Sequence, residues 1–214
     1  MALLNAEIRQ EVSKILGEMV SPIKLVTFTK EQGCEYCDQL VQLLEEVAGL
    51  SDKVTVETYV LDKAPEAAQK YNVTEAPTIV FEGAKDYGIR FHGIPAGYEF
   101  STLIHGMMAV SRGESELDEA TKAYVAGLTE PVDLQVFVTT SCPYCPRAAT
   151  LAMEMALLSD KVTARVYEAT EYQDLFMDYD VMGVPLTVVN NRERIEGAAP
   201  APMVVDAIRH ALEA

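Results

Sequence analysis

Two stretches decide how this chain folds: Cys34-Glu35-Tyr36-Cys37 and Cys142-Pro143-Tyr144-Cys145 hold all four of its cysteines. Each first cysteine is followed 43 residues later by a proline, Pro77 and Pro185. The offset of 108 between the two motifs extends well beyond them. Ser51-Asp52-Lys53-Val54-Thr55 recurs as Ser159-Asp160-Lys161-Val162-Thr163, and Tyr71, Val73, Pro77 and Val80 recur as Tyr179, Val181, Pro185 and Val188. Five consecutive identities at an offset set independently by the cysteines mark an internal duplication. Gly93 then aligns with Gly197 at an offset of 104, which predicts a shorter connection between the last two strands of the second unit.

A chain of 214 residues suits one large or two small domains, and the repeat selects two of roughly 100 residues. We place the first at residues 1–115, a linker with a short helix at 116–130, and the second at 131–214. The net charge of −16 argues against nucleic acid as a partner. In residues 1–20, Leu3, Leu4, Ile8, Val12, Ile15, Leu16 and Met19 alternate with charges, predicting an amphipathic helix and not the apolar core of a secretory signal. No apolar run reaches the length of a membrane span, so no membrane partner is expected. The expected compartment is a reducing cytoplasm, where Cys-x-x-Cys means catalysis or metal more often than a structural disulfide.

The hydrophobic pattern predicts, in the first unit, strands at 24–29, 54–61, 78–81 and 88–92, with helices after Cys34, at 65–71 and at 98–110. The second unit repeats this order: strands at 134–138, 162–168, 186–189 and 192–196, helices at 142–158, 173–179 and 202–212. Each unit therefore reads β-α-β-α-β-β-α. A further helix is expected at 117–125, within the connection 111–131.

With Cys-x-x-Cys at the first helix and a proline before the third strand, each unit resembles the thioredoxin fold. The fold class is α/β: two tandem thioredoxin-like units, the first preceded by an extra helix. Cys-Pro-Tyr-Cys resembles the glutaredoxin motif, and Gly33 and Ser141 stand where thioredoxin has tryptophan, a residue this chain lacks. Two intact pairs, together with residues 85–90 and Gly93-Ile94-Pro95-Ala96-Gly97, resemble the protein disulfide oxidoreductase family of thermophilic archaea and bacteria. The resemblance implies a thiol-disulfide oxidoreductase that reduces, oxidises or isomerises protein disulfides, with no cofactor beyond its cysteines. Its implied partners are protein disulfides and dithiols and a thioredoxin-reductase-like flavoprotein. It also implies that Pro77 and Pro185 are cis, offering the backbone of Ala76 and Val184 to an extended substrate.

Exchange needs a thiolate, a second thiol to resolve the mixed disulfide, and a surface that holds the substrate sulfur in line. A cysteine at a helix N-terminus faces unpaired N–H groups and the positive end of the dipole, which lowers its pKa. Cys34 and Cys142 are the expected attackers, Cys37 and Cys145 the resolvers, and Tyr36 and Tyr144 flank the sulfurs. Pro143 and Pro146 suit a first helical turn, where a missing N–H leaves no hydrogen bond unmade.

Two departures stand out. Thioredoxin has a buried acid six residues before its first cysteine, where this chain has Phe28 and Val136, leaving Glu168 as the candidate for proton transfer. The Gly-Gly pair with which glutaredoxin binds glutathione is replaced by His92-Gly93-Ile94 and Glu196-Gly197-Ala198. His92, His105 and His210 are scattered and read as structural or surface residues.

Two other readings compete. Four cysteines could bind zinc or an iron-sulfur cluster, but 104 residues separate the pairs, where zinc modules have roughly 15–20. A module resembling the tandem N-terminal domain of the alkyl hydroperoxide reductase flavoprotein would pass electrons to a peroxiredoxin. That family typically loses the cysteines of its first unit, and no flavin-binding domain is expected to follow here.

Glu35 follows Cys34, and its charge disfavours the neighbouring thiolate, whereas Pro143 follows Cys142. In reduction of insulin disulfides we therefore expect Cys142→Ser to cost several-fold more rate than Cys34→Ser. Equal losses would show that the residue after the attacking thiol does not rank the sites.

Overall fold

The computed structural model describes residues 2–213. The first unit holds α1 (Ala6–Leu16), β1 (Ile23–Thr29), α2 (Cys37–Ala48), β2 (Val54–Val60), α3 (Pro65–Lys70), β3 (Thr78–Glu82), β4 (Asp86–His92) and α4 (Glu99–Arg112). After α5 (Glu119–Ala126) come β5 (Val132–Val138), α6 (Cys145–Leu158), β6 (Val162–Glu168), α7 (Gln173–Asp178), β7 (Leu186–Val189), β8 (Glu193–Glu196) and α8 (Ala201–Glu213). The β-α-β-α-β-β-α order appears twice. No described helix is long and apolar enough to cross a membrane.

The repeat hides the fact that the two units share one sheet. Eight strands run in the order β2-β1-β3-β4-β6-β5-β7-β8, so the arrangement 2-1-3-4 recurs as 6-5-7-8. The joint is a parallel ladder pairing Ile89, Arg90, Phe91 and His92 with Ala164, Arg165, Val166 and Tyr167. This pairing also explains the shift from offset 108 to 104. The turn is three residues long in both hairpins, 83–85 and 190–192, so the expected shorter connection lies in the strands instead. Strand β4 has seven residues and must serve two neighbours, whereas β8 has four and forms the outer edge, where a short strand limits unwanted pairing.

The main core lies under α2, α4, α6 and α8, with Leu40, Leu44, Leu103, Met153 and Ile208 among its members. On the opposite face Phe28, Tyr71 and Val80 form a smaller cluster in the first unit, and Phe137, Tyr167 and Leu186 one in the second. At the seam, Gly106 lets α4 approach β3 and α6, since a Cβ there would sit 3.0 Å from the Phe81 ring and 3.2 Å from Met153 Sδ. Glu154 of α6, though buried, ties the linker to this seam. It accepts from the Glu116 N–H at 2.9 Å and meets His105 Nε2 at 3.0 Å and Arg112 at 3.3 Å. Burial opposes its ionisation, but the bonds from His105, Ser115 and Glu116 hold its pKa below the usual carboxylate value.

Three local expectations need correction. Helix α1 is shorter than residues 1–20, because the Asn5 side chain accepts from Ile8 N–H and caps its start while the chain turns at Gly17. Both cysteine helices begin at the second cysteine, not the first, with Tyr36 and Tyr144 as their N-caps. Pro143 thus lies in the preceding turn and only Pro146 in the first helical turn.

Gly97 joins the units most tightly. Its φ is +57°, and a Cβ there would collide with the Thr140 carbonyl oxygen. The N–H of the next residue, Tyr98, donates to that same oxygen at 2.9 Å. Gly97→Ala should cost roughly 1–3 kcal/mol of stability in urea unfolding, from the positive φ and the forced retreat of Thr140. An unchanged midpoint would mean that this contact does not hold the units together.

Candidate functional site

Strands β1 and β5 run parallel to one another through the shared sheet, so both cysteine pairs sit at the same edge, beyond the strands' C-terminal ends. Both pairs are closed as disulfides with Cα–Cα distances of 5.5 Å. Cys37 and Cys145 are buried, Cys142 is nearly so and Cys34 is half-buried. The Lys30 N–H points at Cys37 Sγ from 3.4 Å. The Cys145 N–H, first of α6, points at Cys142 Sγ from 3.1 Å. In the second unit a donor at the helix start therefore faces the first sulfur, although that cysteine stands outside the helix.

Both expected cis bonds, Ala76–Pro77 and Val184–Pro185, are present. In the second unit Cys142 Sγ lies 3.7 Å from the Val184 carbonyl oxygen, so the structure brings these two sequence-derived residues together. Tyr144 is 63% exposed beside its pair, with Met182 at 88% on the proline loop. Tyr36 is half-buried, and the Glu35 charge raises its phenol pKa.

Two acids, Glu99 and Glu171, carry no signal in the sequence, whereas Glu168 is the candidate read there. Glu99, the first residue of α4, is fully buried, accepting from Thr102 Oγ1 at 2.8 Å through Oε2 while Oε1 has no partner. Burial pushes its pKa up to about 7, and the Glu168 charge adds to this. An acid in a first helical turn ordinarily reads as an exposed complement to the dipole, so nothing in the local pattern signals burial. Glu171 accepts from the Ile94 N–H at 2.6 Å, and burial likewise raises its pKa to about 7. Glu168 is buried and accepts from Thr170 N and Oγ1 at 2.8 and 3.1 Å.

Counting back six residues from each cysteine also fails to reach equivalent positions. Phe28 pairs with Thr78 but Phe137, not Val136, pairs with the matching Leu186. The connection before Cys34 is one residue longer than that before Cys142, and Val136 matches Thr27, a buried threonine whose hydroxyl has no partner.

A thioredoxin domain family model matches residues 132–209. The chain is 25% identical over 188 residues to an alkyl hydroperoxide reductase subunit of Pseudomonas aeruginosa, covering 88% of this chain and 34% of that protein. It is 22% identical to an NADH dehydrogenase of Bacillus subtilis, again over 88% of this chain and 34% of the relative. The chain thus spans about a third of the length of these curated relatives. Among solved structures, a protein disulfide oxidoreductase from Aeropyrum pernix superposes with a TM-score of 0.91 at 29% identity, covering 98% of this chain and 94% of that one. The alkylhydroperoxide reductase AhpF of Enterococcus faecalis gives 0.88 at 24% identity, covering 96% and 99%. By fold the chain is a thioredoxin-fold protein with a closed Cys-x-x-Cys pair in each of its two repeats. Its likeness to the protein disulfide oxidoreductase of Aeropyrum pernix agrees with the resemblance seen in the sequence.

With a folded pKa of about 7 against 4.5 unfolded, Glu99 retains its proton on folding across that interval. Its contribution to stability is therefore complete below about pH 4.5 and declines as the pH rises through 7. Glu99→Gln, which cannot ionise, should weaken this decline. Between pH 5 and 8 the variant should lose less stability than the parent, by on the order of 1–3 kcal/mol in urea unfolding. Parallel pH profiles would show that Glu99 is ionised in the folded protein throughout.

Proposed function

We propose that both pairs exchange disulfides with protein substrates, Cys34 and Cys142 attacking and Cys37 and Cys145 resolving. The observation that carries this reading is the second site, where Cys142 Sγ lies 3.7 Å from the Val184 carbonyl, beside exposed Tyr144 and Met182. A substrate strand laid along Val184 and Pro185 would bring its own sulfur to Cys142, and Ala76 and Pro77 serve Cys34 in the same way. In reduction, the Cys142 thiolate attacks a substrate disulfide and one substrate sulfur leaves as a thiol. The Cys145 thiolate then attacks Cys142, releasing the second substrate thiol and closing Cys142–Cys145, so two electrons pass to the substrate. Oxidation runs the same steps in reverse.

The units are taken as residues 1–115 and 131–214 with 116–130 as connection, working in the cytoplasm with electrons from a thioredoxin-reductase-like flavoprotein. A second reading is supported by the likeness to the alkyl hydroperoxide reductase subunit of Pseudomonas aeruginosa across 88% of this chain. In that reading the reduced cysteines deliver electrons to a peroxide-reducing partner. Peroxide consumption on addition of a peroxiredoxin, faster than insulin reduction under the same reductant, would favour it.

The exchange reading requires two disulfides that open and close independently of any metal. Each pair is closed by itself, and among the described residues no group of three or more His, Cys, Asp or Glu could hold a metal ion. The air-oxidised protein should show no free thiol, expose four after dithiothreitol, and keep its fold in both states. Stoichiometric zinc with unfolding by chelators would assign the cysteines to metal binding.

A further inference from the structure

The proline loops of the two sites are held differently, and the difference lies across the seam. The Pro77 carbonyl accepts from Gly93 N at 2.9 Å, as the Pro185 carbonyl accepts from Gly197 N at 2.8 Å. Pro77 has a second donor: the hydroxyl of Tyr172, a residue of the other unit, at 2.9 Å. Around it the loop is braced from behind. Thr78 Oγ1 donates to the Glu75 carbonyl at 2.7 Å and meets His92 Nδ1 at 2.9 Å. The His92 ring stacks on Tyr167, with centroids 4.3 Å apart, and stands edge-on to Tyr172 at 5.7 Å. Burial, with Arg165 and Arg90 nearby, pushes the His92 pKa down to about 3, so the ring is neutral and the brace does not titrate near neutrality.

The duplication supplies an internal control. At the offset of 108, Glu75 corresponds to Gly183, Thr78 to Leu186, and Tyr172 to Ala64. The second loop has no matching polar side chains, and an added Cβ at Gly183 would meet nothing within 4 Å. Only the first proline loop abuts another copy of the unit, because β4 meets β6 whereas β8 is an edge.

We propose that Tyr172 of the C-terminal unit is a positioning residue for the N-terminal site, its hydroxyl fixing the Pro77 carbonyl and with it the Ala76–Pro77 backbone that receives substrate opposite Cys34. This rests on reading Cys34–Cys37 as an exchange site. It makes the C-terminal unit part of the substrate-binding surface of the N-terminal one, with no reciprocal clamp.

The test uses the full chain in two backgrounds, Cys142→Ser/Cys145→Ser, which leaves the first pair, and Cys34→Ser/Cys37→Ser, which leaves the second. Tyr172→Phe removes only the hydroxyl. In the first background it should raise KM for insulin about 3- to 10-fold, the worth of one neutral hydrogen bond, while leaving the rate with hydroxyethyl disulfide unchanged. In the second background neither should move, although Tyr172 lies in that unit. No effect in the first background, or equal effects in both, would overturn the proposal, the latter pointing to general loosening of the C-terminal unit. If the first background with Tyr172 intact reduces neither substrate, the exchange reading of Cys34–Cys37 falls. Amide hydrogen exchange at Glu75, Ala76 and Thr78 then decides: faster exchange in Tyr172→Phe supports the clamp, and unchanged exchange rejects it.

Discussion

Residues 89–92 pair in parallel with residues 164–167, and on this one ladder the arrangement of the molecule depends. It merges two four-stranded sheets into one and keeps strands β1 and β5 parallel, so that both cysteine pairs emerge at the same edge. A backbone ladder of this kind is directional and fixes register, since a slip by one residue would exchange the two faces of the strand. Arg90 and Arg165 meet across the ladder, and each has its own carboxylate: Arg90 pairs with Asp86 of the same strand, Arg165 with Asp133 of the adjacent β5. Phe91 and Val166 turn into the main core, and His92 and Tyr167 stack at the functional edge.

The seam breaks the equivalence of two copies that share a motif. Each unit presents a cysteine pair at a helix start and a proline loop beside it, but the loops that cross the seam differ. Tyr98 donates to Thr140 just before the second pair, and Gly97 packs against the same residue. Glu171 and Tyr172 reach back to Ile94 and Pro77. The first proline loop is therefore held by its neighbour, although Cys34 itself is half-buried, while the second site has Tyr144 and Met182 exposed. Exposed methionine and tyrosine can adapt to varied apolar surfaces.

Buried carboxylates give the edge its electrostatic character. Glu99 and Glu171 both have their pKa values raised to about 7, chiefly by burial, with repulsion from Glu168 adding to each. Carboxyl groups with pKa values raised toward neutrality by burial mark an environment of low polarity. At equivalent places on the first strand of each unit stand Thr27 and Val136, neither of them ionisable.

Much of this was legible in the sequence because cysteine spacing and hydrophobic periodicity are local. The α/β order, the two pairs and the paired prolines follow from residues at most a few tens of positions apart, and the duplication from their recurrence at an offset of 108. The helix starts were misplaced by one turn, because whether Cys34 or Cys37 opens the helix depends on where Tyr36 and Leu40 close their hydrogen bond. The equivalence of Phe28 with Val136 failed for a similar reason: a one-residue difference in loop length is invisible until strand pairing sets the register. Glu99, Glu171 and Tyr172 could not be found by pattern, since each owes its role to burial or to a bond across the seam. By itself the sequence determined that the chain contains two units of one kind, each with a Cys-x-x-Cys pair and a proline 43 residues after its first cysteine. Only the tertiary structure decided that they share a sheet and that Tyr172 of one unit reaches the proline loop of the other, because the β4–β6 pairing joins residues more than 70 positions apart and leaves no mark on either stretch alone.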